Sequence, residues 1–128
     1  MMANLELGPK YEEIGRLVAE DVRADPEGTY LYVEAGEGWV ELSIFKDLGE
    51  GLIYGDGSHV LCWALLDVWE AEDPDKRWSA LHYVISDGKF EVSFDYWEAI
   101  DPEESSLDRR ERAIRERFGD KAIDYSDP

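Results

Sequence analysis

The most constraining feature of the sequence is the dipeptide Asp87-Gly88, set between two segments that alternate apolar and polar residues. Asp-Gly favours the two-residue type I′ turn, which needs positive φ at both central positions and whose twist matches that of paired strands. Trp78 to Ser86 and Lys89 to Tyr96 therefore read as a β-hairpin, with Leu81, Tyr83, Ile85, Phe90, Val92, Phe94 and Tyr96 at period two. The chain is thereby committed to an antiparallel sheet, and the remaining segments are read against that commitment.

A second hairpin is expected upstream, where Thr29 to Ala35 and Trp39 to Phe45 flank Gly36-Glu37-Gly38. Leu31 and Val33 would share one face with Val40, Leu42 and Ile44. The opposite face would carry Tyr30, Tyr32, Glu34, Trp39, Glu41, Ser43 and Phe45. Four glycines from Gly49 to Gly57, around Leu52, Ile53 and Tyr54, read as a loop or a short edge strand.

Three segments carry helical period instead. From about Lys10, Tyr11, Ile14, Val18 and Val22 recur at helical spacing with Leu17 widening the stripe, and Asp25-Pro26-Glu27-Gly28 ends the segment. Ser58 caps a helix from about His59 to Glu72, with Leu61, Ala64, Leu65, Val68 and Trp69 on its main apolar face and Val60, Cys62 and Leu66 widening it. A helix so apolar is expected to be flanked on two sides, and Asp73-Pro74-Asp75 stops it. Asp101-Pro102-Glu103-Glu104 reads as the start of the last helix, with an Asp cap, Pro at the first helical position and Glu at the third. Its stripe is Leu107, Ala113, Ile114 and Phe118, and Gly119 ends it. The order is α-β-β-(β)-α-β-β-α, an α+β fold in which an antiparallel sheet of four to five strands packs with three helices. No linker or repeat divides the 128 residues, so a single domain is expected over residues 1–128, with flexible ends at residues 1–9 and 120–128.

Composition then narrows the partners. Thirty-one acidic residues face 13 Lys plus Arg, a net charge of −18 and a pI near 4.2. Binding nucleic acid through its phosphates requires clustered Lys and Arg, and adhesion to anionic membranes requires the same, so neither is expected. The hydrophobic fraction of 44% is more than a chain kept disordered by its charge would carry. No apolar run reaches the ~18–20 residues of a membrane span. The opening Met1-Met2-Ala3-Asn4-Leu5-Glu6 lacks the pattern of a secretion signal, and the single Cys62 can form no internal disulfide. A cytoplasmic protein with a cationic or anion-seeking partner is expected. The charge is uneven: residues 1–96 hold 21 acidic against 7 basic residues, and residues 97–128 hold 10 against 6.

The residues offer no catalytic constellation. Asp73-x-Asp75 lacks the further ligands and the glycine of a calcium loop, and His59 and His82 fall in different elements without partners at metal-ligand spacing. No Gly-x-Ser-x-Gly, phosphate-binding loop or dinucleotide fingerprint occurs, and Cys62, on an apolar helical face, reads as a structural thiol. With 31 acids, carboxylate pairs arise by chance. Neither enzyme activity, metal nor cofactor is expected. The arginines from Arg109 to Arg117 read as a solvated helix face paired internally, Asp108 with Arg112 and Glu111 with Arg115.

What is left over is the aromatic face of the first hairpin. Tyr30, Tyr32, Trp39 and Phe45 beside Glu34 and Glu41 are either core beneath the C-terminal helix or aromatic anchors ringed by acid, with the first reading favoured for most of them. Trp63, on the polar side of its helix beside Asp67 and Glu70, is expected to be an exposed anchor. The candidate partner-contact residues are Trp63, Asp67, Glu70, Asp73 and Asp75, with Glu34, Trp39 and Glu41 as a second patch.

Trp78-Ser79-Ala80-Leu81, a strand, Gly88-Lys89-Phe90, Asp95-Tyr96 and an Arg-rich helix ending at Gly119 together resemble the YezG-like immunity protein family. The N-terminal helix followed by Tyr30-Leu31-Tyr32-Val33-Glu34-Ala35 is similar to that family's opening elements, and the resemblance runs from about Tyr11 to Gly119. The final helix departs from the family pattern in carrying Arg and Ala where an aromatic is expected, and the 46–58 region is shorter. The resemblance implies an immunity protein, or antitoxin, that binds and blocks a cognate bacterial toxin domain, often a nuclease. A nuclease must present cations to hold phosphates, so an acidic protein can compete for that surface by resembling the charge of nucleic acid. The alternatives are a small ligand-binding or enzymatic domain using a carboxylate pocket, and an acidic interaction module of another immunity family. Oligomeric state is not legible in the sequence.

Overall fold

The computed structural model describes residues 7–22, 27–49, 51–55 and 57–124. Its elements in chain order are α1 (Leu7–Val22), β1 (Thr29–Gly36), β2 (Trp39–Asp47), β3 (Gly51–Gly55), α2 (His59–Ala71), β4 (Ala80–Ser86), β5 (Lys89–Asp95), α3 (Ser106–Phe118) and β6 (Ala122–Asp124). Short 3-10 turns at Pro74–Lys76 and Trp97–Ala99 link α2 to β4 and follow β5. The six strands form one sheet in the order β5-β4-β1-β2-β3-β6, antiparallel throughout except for the parallel pairing of β3 with β6. This is the expected α+β fold with its three helices, built on six strands.

The hairpin that fixes the fold closes as its turn residues demand. Asp87 and Gly88 have φ of 56° and 71°, the left-handed pair of a type I′ turn, and Ser86 faces Lys89 across it. The Glu27 carboxylate accepts from both turn amides, at 2.7 Å from Asp87 N and 3.2 Å from Gly88 N. Glu27 thus ties the far end of β4–β5 to the approach of β1.

The two sheet faces have different covers. α1 and α2 pack on one face, where Ile14, Leu17 and Val18 of α1 and Leu61, Leu65 and Val68 of α2 meet Leu31, Val33, Ile44, Leu81, Tyr83 and Ile85. The Tyr83 hydroxyl crosses this core to donate to the Tyr11 carbonyl at 2.8 Å. α2 is flanked by α1 and by β2, as its width of apolar surface implied. α3 lies on the other face, where Ile114 covers Tyr30, Tyr32, Phe45 and Leu52, with Ala113 and Phe118 packed around them. Most of the aromatics of the first hairpin are therefore core.

Four expectations need correction or bounding. The last helix does not start at Asp101. Asp101 Oδ1 closes a local turn on Glu103 N at 2.9 Å, and Ser105 is the cap, its Oγ accepting from Asp108 N at 3.1 Å. Pro102, Glu103 and Ser105 are exposed, and Arg109 pins the turn by donating to the Asp101 and Glu104 carbonyls. Gly51–Gly55, within the glycine-bearing segment, is a strand, and it is interior because β6 pairs outside it. Residues 120–124 are tied down by β6, and Lys121 Nζ reaches both Asp47 carboxylate oxygens at 2.8 and 2.9 Å. The first helix begins at Leu7, ahead of Lys10. The expected ends at residues 1–6 and 125–128, the turn residues Asp25 and Pro26, and the side chain of Val22 lie outside the described residues.

Candidate functional site

One end of the sheet gathers three segments distant in sequence. The β1–β2 turn, the stretch from the C-terminus of α2 into β4, and the stretch from the end of β5 into α3 all converge there. Contacts fix the convergence: Trp69 Nε1 donates to the Trp78 carbonyl at 2.7 Å, Ser79 N to the Asp95 carbonyl at 2.8 Å, and Ser106 Oγ lies 3.4 Å from Glu41 Oε1. Residues 36–41, 70–80 and 95–108 hold twelve acidic residues against only Lys76 and Arg77. Arg77 is itself engaged, donating to the Trp69 and Glu70 carbonyls and stacking 4.6 Å from the Trp69 ring centre. Asp73 caps the Pro74–Lys76 turn, accepting from Asp75 N at 3.2 Å.

Large apolar side chains stand exposed among these acids. Trp97 is 74% exposed and Trp39 is 48% exposed, with Tyr96 and Leu107 also open to solvent. β2 and β5 lie three strand spacings apart, about 14 Å, so the aromatics bracket an area suited to one partner's surface. Exposed aromatics among polar groups are the composition of interface anchors. Next to them, burial raises the Glu72 carboxyl above its ordinary range, with Asp73 adding to the effect, and Glu72 Oε2 lies 3.4 Å from the Tyr11 hydroxyl.

The sequence candidates separate in space. Glu70, Asp73, Asp75, Trp39 and Glu41 come together at this end. Trp63 is 67% exposed, as expected, but sits further back along α2 beside His59, and Asp67 there is bound by Lys10 Nζ at 2.7 Å. Glu34 is corrected outright: it is only 5% exposed and cannot contact a partner. Its two carboxylate oxygens accept from Arg109 Nε and Nη2 at 2.8 and 2.9 Å, and Oε2 also accepts from the Tyr32 hydroxyl at 2.6 Å. Trp97 and Tyr96 were not among the sequence candidates. The signal lay in the run Asp95-Tyr96-Trp97-Glu98, where aromatics and acids continue past the last alternating strand position.

Arg109, Arg110 and Arg117 hold α3 to the sheet, which corrects the reading of a wholly solvated, internally paired face. Arg109 binds Glu34, Arg110 Nη1 donates to Ser43 Oγ at 3.0 Å and lies over Tyr54, and Arg117 lies over Tyr30 and Phe118. Arg112 pairs with Glu104 in place of Asp108. The Glu111–Arg115 pair forms as expected, at 3.7 Å.

Between α3 and the β4–β5 lip runs an open cleft of about 810 Å³. On its floor the Tyr30 hydroxyl lies 2.6 Å from His82 Nδ1, and His82 Nε2 lies 2.8 Å from Asp95 Oδ2. Burial pushes the Tyr30 phenol well above its ordinary range, so its hydroxyl keeps its proton. The row is internally satisfied and ties β1, β4 and β5 together across the sheet. His59, at the start of α2, and His82, in the sheet, occupy the structural positions expected of them, and Cys62 is half-buried on α2. Among the described residues no group of three or more His, Cys, Asp or Glu side chains is arranged to hold a metal ion. No helix among them is long and apolar enough to cross a membrane. No protein-family model matches the chain, and no curated protein matches it.

Proposed function

We propose that the protein is an immunity-type inhibitor, an antitoxin acting in the cytoplasm, that binds a cognate toxin domain with a basic surface, such as a nuclease. The carrying observation is the acidic end of the sheet, where exposed Trp39, Tyr96 and Trp97 stand among Glu37, Glu41, Glu70, Asp73, Asp75 and Glu98. The acids would raise the rate of encounter with a cationic surface, and the aromatics, desolvated on contact, would slow escape. The protein would compete with the toxin's nucleic-acid substrate for the same cations without binding nucleic acid itself. The reading requires no catalysis and no cofactor.

Co-expression tests it. If a toxin-like domain is encoded beside its gene, the wild-type chain should protect cells from it and co-purify with it. Trp97→Ala combined with Trp39→Ala should abolish protection while leaving the fold intact by circular dichroism. Absence of a wild-type complex, or full protection by the double variant, would refute the proposal.

A second reading is favoured by one observation, the cleft with its His82–Asp95 pair and the arginines of α3 on its wall. On that reading the domain holds a small polar ligand. A ligand bound there would shift the His82 ring resonances in a proton–nitrogen NMR spectrum, whereas a toxin bound at the acidic end would shift the Trp97 and Trp39 indoles.

A further inference from the structure

Among the described residues β5 is the edge of the sheet, and β4 alone pairs with it. The register from Ser86–Lys89 to Ala80–Asp95 runs without a skipped residue, so no bulge bends the edge away. It contains no proline and spans seven residues, Lys89-Phe90-Glu91-Val92-Ser93-Phe94-Asp95. Natural edges are normally blunted by proline, bulges or charges; this one has neither proline nor bulge along its middle, and its one central charge, Glu91, lies on the face of the α3 cleft. Next to a two-residue turn, Ser86 and Lys89 form a hydrogen-bonded pair, and the pairs then alternate along the ladder. Glu91, Ser93 and Asp95 therefore also bond to β4, and the N–H and C=O groups of Phe90, Val92 and Phe94 point outward.

The side chains along this edge are complementary to themselves when reversed. Laid antiparallel to a second copy about Val92, the strand sets Lys89 opposite Asp95 of the copy, Phe90 opposite Phe94, Glu91 opposite Ser93 and Val92 opposite Val92. The first three pairs occur twice and the Val92 pair once, on the axis, as an isologous contact requires. The outward backbone groups at 90, 92 and 94 meet in hydrogen-bonded pairs, so backbone and side-chain registers agree. Lys89 makes no ion pair among the described residues, and Asp95 is half-exposed and uses only Oδ2 for His82. Phe90 is exposed and stacks at 5.1 Å on Tyr83, standing where an opposing Phe94 would close over it. Cross-strand aromatic and opposite-charge pairs are the units that stabilise such a ladder.

We propose that β5 is a homodimerisation edge, joining two copies into one continuous twelve-stranded sheet across a two-fold axis at Val92. The proposal does not rest on the toxin-binding reading, although the two surfaces meet at Asp95. The like net charges of the two copies oppose association, so the dimer strengthens as salt is added.

Sedimentation of the full chain from about 5 to 500 μM, a range bracketing a small edge-to-edge contact, tests the proposal in ~0.5 M salt. The wild-type chain should move from the 14.7 kDa monomer to twice that mass. Val92→Pro removes the two central hydrogen bonds at a position whose N–H faces outward, where proline is tolerated, and should raise the dissociation constant about tenfold or more. Lys89→Glu, which sets like charges opposite one another at both ends, should weaken the dimer without touching the core. A wild-type monomer across the whole range overturns the proposal. So does a dimer unaffected by Lys89→Glu and by a folded Val92→Pro.

Discussion

Glu34 carries the sharpest lesson at the scale of single residues. Its position on the same strand face as Tyr30 and Tyr32 is legible from period two, but its burial is not, because nothing in β1 says which cation arrives from 75 positions later. A carboxylate this buried persists only when paired, and Arg109 supplies a two-pronged partner. Arg109→Ala is expected to destabilise the protein by about 3–5 kcal/mol in urea unfolding, since it strands the Glu34 charge. Glu34→Gln with Arg109→Met should recover most of that loss. Gly15 shows the complementary case of close approach. A Cβ there would lie 2.5 Å from the Tyr83 hydroxyl. Gly15→Ala should therefore lower the melting temperature despite alanine's helix preference of about 1 kcal/mol, and should raise it when Tyr83→Phe removes the obstructing oxygen.

At the scale of elements, the sequence carries strand and helix identity well and boundaries less well. Asp87-Gly88, Ser58 and the α1 stripe work because each depends on neighbours within a few residues. Asp101-Pro102-Glu103 satisfies the local rules for a helix start equally well, yet Ser105 wins because Arg109 must reach Glu34, and Pro102, Glu103 and Ser105 stay exposed. Thermal unfolding can separate the two caps. Ser105→Ala should cost about 1 kcal/mol, while Asp101→Ala, which loses only an exposed turn bond, should cost a few tenths. β6 escaped detection for a different reason, since three residues carry no period and their pairing is with a strand some 70 positions earlier.

The Lys121–Asp47 contact that holds β6 depends on pH. Hydrogen bonds from Lys121 and from the Gly49 amide hold the Asp47 carboxyl below its ordinary range. A carboxyl lowered on folding stabilises the folded state fully above its unfolded value, about 3.9, and loses that contribution as pH falls through the lower folded value. Hydrogen exchange at the Ala122–Asp124 amides should therefore keep a constant ratio to that of the rest of the sheet around neutral pH and gain on it below about pH 4. Asp47→Asn should remove that acid-dependent loosening.

At the scale of the whole molecule, the net charge of −18 becomes informative only once the fold distributes it. Along the chain the acids look spread over strands and the central helix, with a mixed-sign tail. In space, Arg109, Arg110 and Arg117 of that tail face the sheet and hold α3, while Arg112 and Arg115 pair with Glu104 and Glu111 on its exposed side. The acids of residues 98–108 join those of the β1–β2 turn and the α2 terminus at one end. The exposed aromatics at that end belong to a turn, a strand terminus and a 3-10 segment, which no single-segment pattern connects. Glu70, Asp73, Asp75, Trp39 and Glu41 were individually recognisable as surface candidates, and the topology supplied their grouping together with Trp97.

Stopped-flow association with a nuclease toxin domain of basic surface, chosen as the one the chain protects against in co-expression, tests the central claim most directly. The association rate should fall about tenfold or more between low and high salt, as expected for charge-steered encounter. Trp97→Ala should leave that rate nearly unchanged and speed dissociation. An association rate indifferent to salt, or a Trp97→Ala complex that dissociates as slowly as the wild type, would contradict the assignment of the acidic end as the binding surface.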